Sequence, residues 1–416
     1  MRDVLPEEVA LRDWAMAQIL TVYRRHGFVR IETPAVESLR LLLRSESGEN
    51  EKLIYRILKR GEKLATADGV EDLADLGLRF DLTVPLVRYY AHNHAKLPQP
   101  LKAIQIGPVW RAERPQQGRY RQFTQCDIDI LGVASEVAEI ELILATTEAL
   151  AALGLKDLTV RINDRRLLAA TVTHCGFDPE RAGSVFIALD KLDKIGRDGV
   201  ATELRETGHA AAAVDRLLDL LASSATPAAL RGLLGGRVDE GVWRGLQRIL
   251  DTVETQAAGR FRVGFDATLV RGMGYYTGPI FEMQHGGGTS SIAGGGRYDR
   301  MVGRFIGRDV PATGFSIGFE RVISILLDRG SATEADTERV ALVFDETEEA
   351  LGPVLALARD LRERGKHVLL EARAKRLGKQ LHDLESRGYR KIGVLGAGGA
   401  VEWREPRVGG GGGTSG

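Results

Sequence analysis

The chain has 416 residues, 44% of them apolar, and its 57 basic side chains balance 57 acidic ones. That length predicts two or three domains, and that apolar content is enough for real cores, which excludes a disordered scaffold. A formal charge of zero removes the simple electrostatic argument for nucleic-acid binding, although a neutral total can conceal a local basic patch.

The two cysteines, Cys126 and Cys175, offer neither metal-type spacing nor a disulfide framework, which suits a reducing compartment. No apolar run approaches the roughly 20 residues of a membrane span, and the charged opening MRDVLPEEVALRDW lacks a signal-like apolar core. These features predict a cytoplasmic protein without membrane association.

Pro6-Glu7-Glu8 opens a predicted helix whose apolar stripe runs through Leu11, Trp14, Ala15, Ile19, Leu20 and Tyr23. Proline in the first turn costs no hydrogen bond, because its missing N–H would be unsatisfied there anyway. The helix ends near Gly27, and Phe28 to Pro34 reads as a strand stopped by proline. Gly77 to Thr83 reads as another strand, followed by a helix carrying Val84, Val87 and Tyr90.

Ala103 to Trp110 is strand-like. A loop of glutamine, glycine and arginine separates it from the alternating run Arg121 to Asp129. Alternate side chains of a strand share a face, so Phe123, Gln125, Asp127 and Asp129 are expected on one surface, and Arg111 and Glu113 on one. Arginine, glutamine and carboxylate on one sheet surface suit a floor for a small charged ligand. Ser135 is placed as the N-cap of a long helix running towards Leu153, with Glu136 in its first turn.

From about Asn163 to Ala258, helical periodicity dominates and strand signals vanish, which predicts a helical insertion over 163–258. Strands return at Phe261 to Phe265. A glycine-rich block runs from Arg271 to Asp299, and its Gly294-Gly295-Gly296 lacks the ending of a phosphate cradle, so close backbone packing is expected there. Phe315 to Val322 is read as the start of the last helix of a domain covering 1–327, and the polar stretch 328–338 as a linker. Beyond it, strand and helix patterns alternate: Val340 to Phe344, Leu351 to Arg364, His367 to Leu370, Leu377 to Arg387 and Ile392 to Leu395. This alternation predicts a small α/β domain over 339–408 with a largely parallel sheet, and Ala400 to Trp403 is one further possible strand. The glycine-rich 409–416 reads as a flexible tail.

Residues 110–129, WRAERPQQGRYRQFTQCDID, resemble motif 2 of class II aminoacyl-tRNA synthetases, and most closely the ERPQxGRxRQF form found in histidyl-tRNA synthetases. Further segments resemble the same family in the same order. Gly77 to Thr83 is similar to its LRxDLT segment. Arg271 to Tyr276 is similar to its RGLDYY motif, with Gly274 where the family carries aspartate. Ala293 to Asp299 is similar to its AGGRYD motif, and Gly314 to Arg321 to motif 3. The Leu189 to Gly196 run, LDKLDKIG, falls within the part of the insertion that the likeness covers. The HIGH and KMSKS sequences of the other synthetase class are absent.

The resemblance implies a mixed α/β (α+β) fold. Its expected parts are a mostly antiparallel six- or seven-stranded sheet flanked by helices, the helical insertion and a C-terminal α/β anticodon-binding domain. It also implies a homodimer through the N-terminal helix and strand. The implied activity is that of a histidine–tRNA ligase: histidine is activated by ATP, with Mg2+, and transferred to the 3′ end of its tRNA. Arg271 and Arg111 are the implied catalytic residues, acting on the carboxylate and α-phosphate. Glu113 and Phe123 would hold adenine, and Arg119 and Arg321 the outer phosphates. Asp81-Leu82-Thr83 and Gln125 would meet the α-amino group of histidine, while Asp129, Tyr275, Tyr276 and Tyr298 would meet the imidazole. Gln116 and Arg121 would read the tRNA acceptor end. Between Arg359 and Lys391, eleven basic residues face five acidic ones, the local patch expected to meet the anticodon. A non-catalytic alternative shares this fold: the regulatory subunit of ATP phosphoribosyltransferase, which binds histidine but lacks the anticodon domain. The presence of Arg111, Glu113, Arg119, Arg271 and Arg321 favours the synthetase.

Overall fold

The structure is a computed structural model and describes residues 1–43, 53–114, 120–271, 274–288, 291–329, 339–346, 348–396 and 400–404. The chain divides into two compact units, Met1–Ser331 and Ala332–Gly416.

Helix α1 (Pro6–Arg25) has proline in its first turn and buries Leu11, Ala15, Ile19, Val22 and Tyr23, one stripe at helical spacing. The strand expected after it shrinks to β1 (Val29–Arg30). Strands β2 (Val36–Ser38), β3 (Arg56–Leu58) and β4 (Ala74–Leu78) form a small sheet in the order β2-β4-β3, next to the short helices α2 (Leu39–Leu43) and α3 (Glu62–Ala65). The strand expected over Gly77 to Thr83 therefore ends early. Asp81 turns the chain by accepting from the Val84 N–H at 3.0 Å, and Thr83 begins helix α4 (Thr83–Asn93).

Strands β5 (Leu101–Trp110) and β6 (Gln122–Leu131) pair antiparallel along their whole length. Helix α5 (Val137–Ala152) follows, but Ser135 does not cap it. The Ser135 carbonyl accepts from Arg297. Strand β7 (Leu158–Asp164) leads into six helices: α6 (Arg165–His174), α7 (Ala182–Leu189), α8 (Leu192–Glu206), α9 (Ala211–Ser223), α10 (Pro227–Leu234) and α11 (Glu240–Ala257). Asp164 and Thr226 cap α6 and α10 through side-chain oxygens. Strands β8 (Arg262–Phe265), β9 (Pro279–His285) and β10 (Ser291–Arg297), helix α12 (Asp299–Ile306), strand β11 (Ala312–Gly318) and helix α13 (Phe319–Asp328) complete the unit. Phe315 to Ile317 is thus strand, and the helix read there begins at Phe319.

The main sheet has eight strands in the order β1-β5-β6-β11-β10-β9-β7-β8, more than the six or seven expected. The additional members are short parallel edge strands, β1 on β5 and β8 on β7, while every interior pair is antiparallel. One apolar core of this unit joins α1, the sheet and the helices between β7 and β8.

The second unit holds β12 (Arg339–Phe344), α14 (Glu348–Glu363), β13 (His367–Ala372), α15 (Leu377–Ser386), β14 (Lys391–Leu395) and β15 (Val401–Arg404). Its sheet order is β13-β12-β14-β15, parallel except for the last pair. Separate apolar clusters pack on the two faces of this sheet. Among the described residues no helix is long and apolar enough to cross a membrane.

Candidate active site

Register across the main sheet builds the site. Asp127 on β6 lies opposite Ser316 on β11, Ser316 opposite Gly294 on β10, Gly294 opposite Glu282 on β9, and Glu282 opposite Arg161 on β7. Residues directly opposite in a ladder point to the same face, so this row spans five adjacent strands on one surface. A cleft of about 730 Å³ opens over it.

Twelve of the residues expected at the site line this cleft. Phe123, Gln125 and Asp129 come from β6, Arg111 and Glu113 from the chain beyond β5, and Asp81 and Thr83 from the turn into α4. Arg271, Tyr275 and Tyr276 come from the segment before β9, Tyr298 from the end of β10, and Arg321 from the first turn of α13. Tyr275 lies in a turn and Tyr276 in irregular chain just before β9. Leu82 is turned into the core, and its carbonyl accepts from Gln105 at 2.9 Å, so only Asp81 and Thr83 of that tripeptide reach the cleft. Arg121 does not line it; its Nε donates to the Glu113 carbonyl at 3.1 Å and ties the two strand ends together. Gln116 and Arg119 lie outside the described residues.

Part of the cleft is a buried acidic pocket. Tyr298 donates its hydroxyl proton to Asp129 Oδ1 at 2.5 Å, and the Gln125 amide donates to Asp127 Oδ2 and Ser316 Oγ, both at 3.2 Å. That orientation leaves Gln125 Oε1 with no protein donor, and Asp81 Oδ2 is likewise a buried acceptor without one. Buried acceptors normally find a donor, so this pair has the capacity to accept a ligand's N–H groups, such as those of an ammonium. Burial lifts Asp129 to about 7, against the Tyr298 hydrogen bond and with repulsion from Asp81 adding to it. Burial also lifts Asp81 to about 6, opposed by the Val84 N–H and by Arg111. Asp127 is held well above the usual carboxylate range by burial and by the neighbouring Asp129.

An acid raised in the folded state costs stability once pH passes its unfolded value, 3.8 for aspartate, and the cost grows until pH passes the folded value. Asp129→Asn is therefore expected to raise the melting temperature of the ligand-free protein by about 5 °C near pH 8 and by little near pH 4. Thermal melts across that range test this; a shift independent of pH would show that the Asp129 charge carries no such cost.

Arginines line the same cleft. The Arg271 guanidinium packs against Gly294, where an added Cβ would stand 2.4–2.6 Å from its atoms. Its Nη1 donates to Glu282 at 3.1 Å, and its buried Nε has no protein acceptor. Glu282 also receives Arg161 at 3.4 Å, and Arg161 reaches Asp193 of α8 at 2.9 Å. Arg111 lies 5.0 Å above the Phe123 ring and donates from Nε to the Phe80 carbonyl at 3.0 Å, which orients its outer nitrogens. Arg321 is bound to the Ser291 carbonyl, and its neighbour Glu320 receives Arg12 at 2.6 and 2.8 Å and the Thr124 N–H at 3.0 Å. Acid and cation thus share one cleft, an arrangement suited to a zwitterionic substrate whose carboxylate faces a bound polyphosphate.

Sequence reasoning left several lining residues without a role. Asp127 shared the expected face with Gln125 and Asp129, so its signal was present. Glu282 carried no comparable signal, because only pairing between distant strands brings it to the cleft, whereas Ser316 and Asp190, Lys191, Asp193 and Lys194 fell in segments that the resemblance covers but were given no role. Gly294, Gly295 and Gly296 do serve close packing: a Cβ would meet Arg271, the Gly314 carbonyl and the Pro279 carbonyl respectively, each within 2.7 Å.

A model of the histidyl-tRNA synthetase family matches residues 1–322. The chain is 47% identical over 411 residues to the histidine–tRNA ligase of Leifsonia xyli subsp. xyli, an alignment covering 95% of this chain and 94% of that one. It is 40% identical over 353 residues to the histidine–tRNA ligase of Aeropyrum pernix, covering 82% and 76%. Among solved structures, histidyl-tRNA synthetase from Nostoc sp. PCC 7120 superposes with a TM-score of 0.75 at 27% identity, covering 97% of this chain and 95% of that one. A Bacillus halodurans protein titled as an ATP phosphoribosyltransferase regulatory subunit/histidyl-tRNA synthetase shares the fold, with a TM-score of 0.74 at 24% identity. With the cleft carrying both acidic and cationic groups, and with the family model spanning the whole region that builds it, the chain belongs to the histidyl-tRNA synthetase family.

Proposed function

We propose that this histidine–tRNA ligase forms histidyl-adenylate in the cleft over the β6-β11-β10-β9 row and then passes the histidyl group to the 3′ end of tRNA(His). The observation that carries the reading is the meeting of Arg111, Arg271 and Arg321 with the Asp81, Gln125 and Asp129 pocket in one cleft. Asp81, Thr83 and Gln125 receive the α-ammonium through the two unpartnered acceptors. Asp129, held by Tyr298, accepts from an imidazole nitrogen, with Tyr275 and Tyr276 closing the ring's other side. A pocket that hydrogen-bonds a polar ring rejects apolar analogues strongly, because they strand its buried polar groups.

Attack of the histidine carboxylate on the α-phosphate releases pyrophosphate and gathers negative charge on phosphate oxygens. Arg271 and Arg111 stand on the side where that charge develops, Arg321 towards the outer phosphates, and Phe123 and Glu113 where adenine stacks. Arg119 belongs with the outer phosphates and Gln116 and Arg121 with the tRNA acceptor end on the strength of the motif alone. The described residues gather no group of three or more His, Cys, Asp or Glu side chains suited to a metal. Mg2+ takes most of its ligands from phosphate and water, so it would enter with ATP and neutralise the leaving pyrophosphate.

The second unit is the proposed anticodon-binding domain, α1 with β1 the proposed dimer face, and the cytoplasm the proposed compartment. Histidine-dependent exchange of labelled pyrophosphate into ATP, followed by tRNA charging, tests the activity. Histidine binding without exchange would move the protein to the regulatory-subunit reading. Removal of residues after Ser331 is expected to lower charging by about 100-fold and exchange by less than about threefold, since the lost contacts are with tRNA. Equal loss of both would make the second unit structural instead.

A further inference from the structure

Behind the tyrosine wall of the cleft, one buried arginine uses every donor its guanidinium has. Arg297, at the end of β10, donates from Nε and Nη2 to the two carboxylate oxygens of Glu139 on α5, at 2.6 and 2.8 Å. Its Nη1 donates to the Val133 carbonyl at 3.2 Å and to Asp299 Oδ1 at 3.3 Å, and Nη2 also donates to the Ser135 carbonyl at 3.2 Å. Five N–H groups thus meet five acceptors. Neither Arg297 nor Glu139 lines the cleft, and the Glu139 side chain is fully buried.

A buried ion pair is a poor device for stability alone, because apolar side chains of similar volume often serve as well or better. What this pair does have is position. The Arg297 carbonyl accepts from the N–H of Thr277, the residue after Tyr276, at 2.7 Å. Its neighbour Tyr298 is pinned by an N–H bond to the Ala312 carbonyl at 2.7 Å and points its hydroxyl at Asp129. Asp299, on the other side, accepts from the Ala312 N–H at 2.9 Å and donates its own N–H to the Thr277 hydroxyl at 3.1 Å. Both tyrosine segments of the pocket are therefore tied to the sheet within one residue of this guanidinium.

We propose that the Arg297–Glu139 pair is a positioning device that sets Tyr298, and with it the Tyr275-Tyr276 turn, against Asp129, and so determines how well the protein recognises histidine. The proposal rests on the reading of that pocket as the histidine site. The test compares three variants of the full-length protein: Glu139→Gln, the double apolar replacement Arg297→Met with Glu139→Leu, and Tyr298→Phe as the probe of the pocket itself. Each is assayed for the KM of histidine and of ATP in pyrophosphate exchange, with circular dichroism and melting temperature as the check on folding. The double variant removes both buried charges of the pair together and leaves only the partly exposed Asp299 carboxylate without this guanidinium, so it keeps the question answerable if Glu139→Gln folds poorly. The expected result is a histidine KM raised about tenfold or more in every folded variant, with the ATP KM changed less than about twofold. An unchanged histidine KM in the folded double variant, beside a raised one in Tyr298→Phe, would overturn the positioning role and leave the histidine pocket standing. Equal rises in both KM values would also overturn it, since a general loosening of the fold would then be the cause. An unchanged histidine KM in Tyr298→Phe would remove the pocket reading and the proposal with it.

Discussion

Arg271→Ala is expected to cut histidine-dependent pyrophosphate exchange by about 10³-fold while changing histidine affinity by less than about tenfold. The asymmetry follows from where the charge is held. The guanidinium lies against Gly294 in the middle of the sheet, anchored at one end by Glu282 and with its buried Nε unmatched by any protein acceptor. A cation fixed before substrate arrives pays no reorganisation when negative charge develops on the α-phosphate, so its contribution falls mainly on the transition state. The variant should also fold. Glu282 keeps Arg161 at 3.4 Å, so removing Arg271 does not strand a buried carboxylate. Lysine should rescue poorly, because a point charge on a flexible stem cannot reproduce the planar fork. Exchange kinetics paired with calorimetric histidine binding make the measurement; exchange at the parent rate would end the assignment of Arg271.

Gly314→Ala is expected to raise the histidine KM by about 100-fold and the ATP KM by less than about threefold. Gly314 sits directly opposite Asp129 in the β6-β11 ladder, and an added Cβ would stand 2.0 Å from Asp129 Oδ1 and 3.3 Å from Tyr298 Cε1. The carboxylate can yield only by rotating, which breaks its bond to the Tyr298 hydroxyl and moves the acceptor proposed for imidazole. Both groups are buried, so neither has room to relax into solvent. Gly183→Ala is the control, since a Cβ there meets nothing within 4 Å. A folded Gly314→Ala protein with the parent histidine KM would show that Asp129 takes no part in recognition.

Much of the site is legible because its chemistry is local. The β5-β6 hairpin carries a period of two, and that period alone puts Phe123, Gln125, Asp127 and Asp129 on one face. Other features mislead for physical reasons. Phe315 to Val322 is apolar enough for either helix or strand. Ladder bonds to β6 on one side and β10 on the other make its first residues strand, up to Gly318. Ser135 has the chemistry of a cap, yet the helix starts at Val137, one residue later than a cap at Ser135 would set it. Glu139 reads as one acid on an apolar-striped helix, and its partner lies 158 residues away.

The sequence by itself therefore determined the family, the elements with clear periodicity and the residue types of the cleft, because short motifs and periodicities are properties of neighbouring residues. Only the tertiary structure decided that Asp127, Ser316, Gly294, Glu282 and Arg161 form one row, that Gly314 must be bare beneath Asp129, and that Arg297 and Glu139 stand behind the tyrosines. Those facts depend on the register between strands far apart in the chain. A slip of one residue would turn every one of these side chains to the opposite face, and that register is set by the packing of the whole core rather than by any local pattern.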